Sequence, residues 1–156
     1  MRFRIDVYRQ ADYPEVIRLM GQAKDFVLPE QAYLRCLGLV CRDLKRNNKI
    51  VGFLTTISGL SNTAYLDYVI VDKEYRHKGL QGNRILALLH KNLEAALRTM
   101  KITAYLGHAP FDNKELRHLY EHHGAKNLGD YTLFRKEIKD ENIKTSYRHP
   151  NQAIIE

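Results

Sequence analysis

The chain predicts one α/β (α+β) domain in which a mixed, largely antiparallel sheet is flanked by helices. Three features carry that reading. Short segments alternating apolar and polar residues recur along the chain, and segments with apolar residues three and four apart fall between them. The third is size: 156 residues with 44% hydrophobic content suffice for one core, and two separate domains are not expected. No internal repeat, low-complexity tract or linker interrupts residues 1–138, the expected domain. Residues 139–156 form a tail whose three basic and three acidic residues cancel.

The first strand is read from "RFRIDVY", where Phe3, Ile5 and Val7 alternate with Arg2, Arg4 and Asp6. A helix follows. Asp12 stands as its N-cap with Glu15 as capping-box partner, and Val16, Ile17, Met20 and Ala23 keep helical spacing. Residues 24–37 are ambiguous, because Pro29 breaks the chain while "PEQAYLRCL" can form a short helix. "LGLVCRDL" and "KIVGFLTTISGL" flank the polar "KRNN" and read as a hairpin, and "TAYLDYVIVD" adds a third antiparallel strand. From Gly79 to Met100, Ile85, Leu86, Leu89, Leu93, Leu97 and Met100 mark the strongest helix. "ITAYLGH" returns to strand. "NKELRHLYEHH" places Leu116, Leu119 and Tyr120 on one helical face, and Gly124 can stop that helix. A short strand at 125–128 and a last one at "YTLFRKEI" complete the order.

The 25 Lys plus Arg against 18 Asp plus Glu give a formal charge of +7. Polyanionic partners are favoured, which keeps phosphate-bearing cofactors, nucleic acid and acidic substrates open. Cys36 and Cys41 form neither a CxxC pair nor a zinc-ligand spacing with histidine, so they read as reduced thiols. The N-terminus lacks the apolar stretch of a signal peptide, and no apolar run of about 18 residues offers a membrane span. A cytoplasmic location is the resulting expectation.

The stretch "VDKEYRHKGLQGNRILALL", residues 71–89, carries the chemistry. A strand ending at Val71 feeds a helix near Leu80, whose first amides lack intrahelical partners and whose dipole favours an anion. Gly79 and Gly82 allow close approach to the backbone, and Arg76, His77 and Lys78 supply positive charge. The alternative is a turn relieved of crowding by its glycines and faced with solvated cations. Neither the Walker A pattern nor the Gly-x-Gly-x-x-Gly dinucleotide fingerprint is present.

Arg76-His77-Lys78-Gly79-Leu80-Gln81, followed by Gly82, resembles the acyl-CoA signature of the GNAT family of N-acetyltransferases, Arg/Gln-x-x-Gly-x-Gly/Ala. Gln81 departs from it. "DNKELRHLYEHHGA" is similar to the family's later segment, with Asn113, Tyr120 and Gly124 in register, and the order of elements over residues 2–138 agrees. The resemblance implies a GNAT-like domain that transfers an acetyl group from acetyl-CoA to a primary amine by direct attack in a ternary complex. It further implies that the backbone of Val69 and Val71 holds the pantetheine arm. The amides from His77 through Lys78, Gly79, Leu80 and Gln81 to Gly82 would wrap the pyrophosphate. Asn113 would contact the cofactor arm, and Tyr120 would lie near the thioester sulfur.

Such a transfer needs a base, because a lysine-type amine has a pKa of about 10.4. Asp67 shares by period two the strand face of Tyr65, Val69 and Val71. His108 ends the next strand and has the better matched unperturbed pKa, about 6.5. Both remain candidates, as does water. Tyr120, a phenol that stays protonated at neutral pH, suits the acid role, and its alternative is a core tyrosine beside Leu116 and Leu119.

His118 and His122 stand four apart, but no third metal ligand accompanies them, so no metal is expected. Arg42, Lys45, Arg46 and Lys49 read as a solvated turn, since no aromatics are interleaved to stack bases. The rival reading is a non-catalytic module of the same fold that binds nucleic acid or a ribosome-associated partner; a nucleic-acid-associated acceptor would join the two. The acceptor, and the choice between monomer and homodimer, are not written in the sequence.

Overall fold

The computed structural model describes residues 1–22, 37–58, 62–76, 80–107, 114–122 and 124–129. The chain divides into two compact units, Met1–Asp112 and Asn113–Glu156. The first contains β1 (Phe3–Val7), α1 (Tyr13–Met20), β2 (Leu37–Asp43), β3 (Lys49–Ser58), β4 (Thr63–Val71), the single turn α2 (Lys73–Arg76), α3 (Leu80–Thr99) and β5 (Ala104–Leu106). The sheet runs β1-β2-β3-β4-β5. Its first four strands pair antiparallel, and β5 lies parallel to β4. The mixed, largely antiparallel sheet read from the sequence is the one observed.

Alternation along the strands gives the sheet two apolar faces. On one, Val16, Leu19 and Met20 of α1 pack with Val40, Ile50, Phe53 and Ile70. The other carries α3, whose Ile85, Leu89, Leu93 and Leu97 are buried. The helix approaches so closely at Gly52 that a Cβ there would stand 2.7 Å from the Ile85 side chain. Each such fully buried aliphatic side chain stabilises the fold by about 1.5–3 kcal/mol.

Three local expectations are corrected. Asp12 does not cap α1 through its side chain. A 3₁₀ turn over Gln10–Asp12 precedes the helix, and the Asp12 carboxylate reaches back to the Arg9 amide at 3.1 Å and across to Arg42 at 2.7 Å. Glu15 turns to Arg18 instead. The second correction concerns β4. Thr55 pairs with Tyr68 and Thr56 with Leu66, so Asp67 is the extra residue of a β-bulge. The bulge resets the alternation: Tyr65 opposes Ile57 and shares its face, whereas Val69 opposes Leu54 and lies on the other. The third is that residues 125–129 are irregular rather than a strand.

The second unit holds α4 (Lys114–His122). Gly124 follows it with φ of 83°, a left-handed conformation that glycine adopts without a Cβ penalty. Its amide bonds Glu121 at 2.9 Å and that of Ala125 bonds Tyr120 at 3.0 Å, the paired pattern of a Schellman stop. The short helix expected within 24–37 lies outside the described residues except for Leu37, which begins β2; the strand at 131–138 and the tail at 139–156 lie outside them entirely.

Candidate acyl-donor site

β5 pairs with β4 only from Thr63–Ala104 to Tyr65–Leu106. Beyond Tyr65, β4 continues for six residues with no described strand on that side. An antiparallel ladder alternates bonded and non-bonded pairs. The Asp72 amide bonds Val51 at 2.8 Å, so Asp72, Ile70 and Tyr68 turn their amides and carbonyls toward β3. Val69 and Val71 therefore turn theirs to the open edge. One of these groups is engaged: Arg76 folds back and donates its Nε to the Val71 carbonyl at 2.6 Å.

α3 begins just after this edge, and its first turn contains no acidic residue. No carboxylate within that turn offsets the positive end of its dipole. Leu80 is 85% exposed there. Gly82 is buried for a reason internal to the turn: a Cβ on it would stand 2.9 Å from the Tyr75 carbonyl and 3.4 Å from Arg76 Cα. The close approach that glycine permits here is between α2 and α3. His77, Lys78 and Gly79 lie outside the described residues.

Gln81, the departure from the family signature, sends its side chain away from the turn. Its Oε1 accepts from Arg2 at 3.3 Å. Arg2 in turn grips the fully buried Asp43 with Nε at 3.0 Å and a terminal nitrogen at 2.7 Å. Tyr75 of α2 donates its hydroxyl to the same carboxylate at 2.7 Å, and the Lys45 amide adds a bond at 3.0 Å. Arg2, together with the Tyr75 and Lys45 donors, overcomes burial and holds the Asp43 carboxyl down at about 2. Burial and the anionic acceptor push the Tyr75 phenol up.

A second buried acid, Asp72, follows β4 directly. It accepts from the Glu74 amide at 3.1 Å and from Arg18 at 2.8 Å, and Lys49 stands 3.4 Å away. Burial pushes its carboxyl up, but the Glu74 amide, Arg18 and Lys49 together outweigh burial and leave it below the usual range. These two acids fix both ends of α2. Asp72 was readable as an N-cap to "KEYR"; Asp43 was not, because its partners Arg2 and Tyr75 lie 41 and 32 positions away.

Among the catalytic candidates, Asp67 sits half-buried at the β4 bulge. His108 and Asn113 lie outside the described residues. Tyr120 is half-buried on α4, where its carbonyl accepts from the Ala125 amide in the stop that places Gly124 at C′. The His118 and His122 rings are 6.4 Å apart, and among the described residues no group of three or more His, Cys, Asp or Glu could hold a metal. Cys41 is buried, and burial, aided by Asp43 and Asp6, pushes its thiol up to about 12. Cys36 lies outside the described residues. Of the hairpin cations, Arg42 pairs with Asp6 and Asp12, Arg46 with Glu74, and Lys49 with Asp72 and Glu74. No helix among the described residues is long and apolar enough to cross a membrane.

Residues 7–125 match the profile of the acetyltransferase (GNAT) family. The fold is shared with the ribosomal-protein-S18-alanine N-acetyltransferase of Escherichia coli, at 23% identity and a TM-score of 0.62 over 78% of this chain and 76% of that one. An aminoglycoside antibiotic 6′-N-acetyltransferase from Acinetobacter baumannii superposes with a TM-score of 0.66 at 18% identity, covering 88% and 99%. The ribosomal-protein-alanine N-acetyltransferase of Brucella melitensis gives 0.61 at 18%, covering 86% and 99%. No curated protein sequence matches the chain.

Proposed function

Because the chain belongs to the acetyltransferase (GNAT) family, we propose that it transfers an acetyl group from acetyl-CoA to a primary amine within a ternary complex. The observation that carries this reading is the open edge of β4 at Val69 and Val71, immediately before a helix whose first turn lacks acidic residues. An extended pantetheine arm can pair with that edge as a strand would. The α3 amides, with Arg76 and Lys78, would receive the pyrophosphate.

In the reaction the amine nitrogen attacks the thioester carbonyl carbon, the carbon–sulfur bond breaks, and the departing thiolate takes a proton. Backbone amides at the β4 edge stabilise the oxyanion that forms in between. Asp67 or His108, directly or through water, removes the proton from the amine. Tyr120 supplies the proton to sulfur, and Asn113 contacts the cofactor arm; both roles rest on the family pattern. The acceptor class follows the named relatives: an amine on a ribosomal protein or an aminoglycoside.

Thermal stabilisation by acetyl-CoA, followed by thiol release against an alanine-initiated peptide and an aminoglycoside, tests the proposal. Tyr120→Phe should lower kcat by roughly 100-fold or more while leaving acetyl-CoA affinity near wild type. Failure to bind acetyl-CoA at millimolar concentration overturns it.

A further inference from the structure

A cleft of about 270 Å³ opens on the β1–β2 side of the sheet, lined by Arg4, Asp6, Arg9, Arg42 and Asn48. Asp6 opposes Val40, so Arg4, Asp6 and Arg42 share the α1 face, while Val69 and Val71 lie on the α3 face toward the other edge. The cleft is thus separate from the acyl-donor site in both respects.

Arg4 and Arg42 are directly opposed across β1 and β2, an arrangement of like charges that ordinarily destabilises a strand pair. A single oxygen, Asp6 Oδ2, accepts Nε from both, at 3.0 Å and 2.9 Å. Arg42 is further pinned by Asp12 at 2.7 Å and keeps only 17% of its side chain exposed. The terminal nitrogens of Arg4 and one of Arg42 have no carboxylate partner among the described residues, and neither has any part of the Arg9 guanidinium. Three arginines against Asp6 and Asp12 leave the cluster at +1. Asn48, held left-handed at φ 59°, adds an amide to the same wall.

We propose that this cleft binds a small phosphate monoester. Planar guanidinium forks match phosphate oxygens, and the cluster keeps a net positive charge. The volume exceeds a bare phosphate and leaves room for the esterified group. Arg42, already fixed by two carboxylates, presents its remaining nitrogen without a further ordering cost.

The test is calorimetric titration with inorganic phosphate, phosphoserine and a nucleoside 5′-monophosphate. Each is run with and without saturating coenzyme A and against potassium chloride of equal ionic strength. The expected result is saturable binding, at least one monoester tighter than inorganic phosphate, unaffected by coenzyme A. Arg9→Ala and Arg4→Gln, each with a wild-type circular dichroism spectrum, should weaken binding roughly tenfold. Loss of the signal on adding coenzyme A would assign it to the donor turn and overturn the proposal. So would reproduction by chloride, unchanged affinity in both variants, or preference for a single-stranded oligonucleotide over every monoester.

Discussion

Two arginine–aspartate clusters lie on opposite faces of the β1–β2 pair and are built in opposite proportions. On the α3 face one buried carboxylate, Asp43, takes every donor aimed at it: two nitrogens of Arg2, the Tyr75 hydroxyl and the Lys45 amide. On the α1 face three arginines meet two aspartates, Asp6 and Asp12, and several of their nitrogens have no carboxylate partner among the described residues. The first cluster is closed and ties Arg2, before β1, to the end of β2, to α2 and to Gln81 of α3. The second is open and over-supplied with donors. Which group is in excess, and whether it reaches solvent, separates a scaffold from a binding surface here.

The largest effect should come from breaking the closed cluster. Asp43→Ala leaves Arg2 and Tyr75 without their acceptor, and loss of one partner from a buried pair is costly. We expect about 3 kcal/mol of destabilisation, read as a lower urea midpoint at constant m-value. Acid should do the same reversibly. The Asp43 carboxyl is depressed from 3.8 to about 2 in the fold, so its contribution is complete above pH ~4 and is lost as pH falls toward ~2. The shift corresponds to about 2 kcal/mol. Stability measured from pH 5 to pH 2 should therefore fall more steeply for wild type than for Asp43→Ala. Parallel curves would show that other carboxylates govern the acid limb.

The sequence carried the frame of this arrangement and missed its joints. Phe3, Ile5 and Val7 announce β1, and Ile85, Leu89, Leu93 and Leu97 announce α3, because burial of one face imposes a period. The turn from Arg76 to Gly82 was visible as charge and glycine, and Gly124 as a helix stop. The bulge at Asp67 was not visible, since one inserted residue leaves each short run of alternation intact while exchanging the faces beyond it. That is why Tyr65 read as a neighbour of Val69. Arg2, Asp43 and Tyr75 meet only through the sheet register, and the role of Gln81 depended on that meeting. The opposition of Arg4 and Arg42 has the same origin: strand pairing places together charges 38 residues apart in sequence.

A smaller effect is expected where α3 packs against α2 beside the closed cluster. A Cβ at residue 82 meets backbone, the Tyr75 carbonyl at 2.9 Å, so α2 and α3 must separate slightly. Overpacking of this kind costs about 2 kcal/mol, and replacing a helical glycine by alanine returns about 1 kcal/mol. Gly82→Ala should thus lose about 1 kcal/mol net, with a larger relative loss in acetyl-CoA affinity because the displaced amides are the proposed pyrophosphate donors. A stable variant with unchanged acetyl-CoA affinity would separate Gly82 from the donor site.

The smallest change should come from the open cluster, and its smallness is what distinguishes the two. Arg9 is exposed, and its guanidinium bonds nothing among the described residues; its main chain is used, the amide donating to the Asp12 carboxylate and the carbonyl accepting from the Asp12 amide. Arg9→Ala preserves that amide and the Asp12–Arg42 bond. It also lowers the repulsion among three neighbouring cations, which offsets any loss of packing by the side-chain stem. Urea unfolding in phosphate-free buffer should therefore match wild type within about 0.5 kcal/mol. A loss above about 1 kcal/mol would place Arg9 in the scaffold, and the distinction between a closed and an open cluster would no longer hold. With stability matched, adding phosphate should stabilise wild type more than Arg9→Ala, since a ligand that binds only the folded state raises stability according to its affinity.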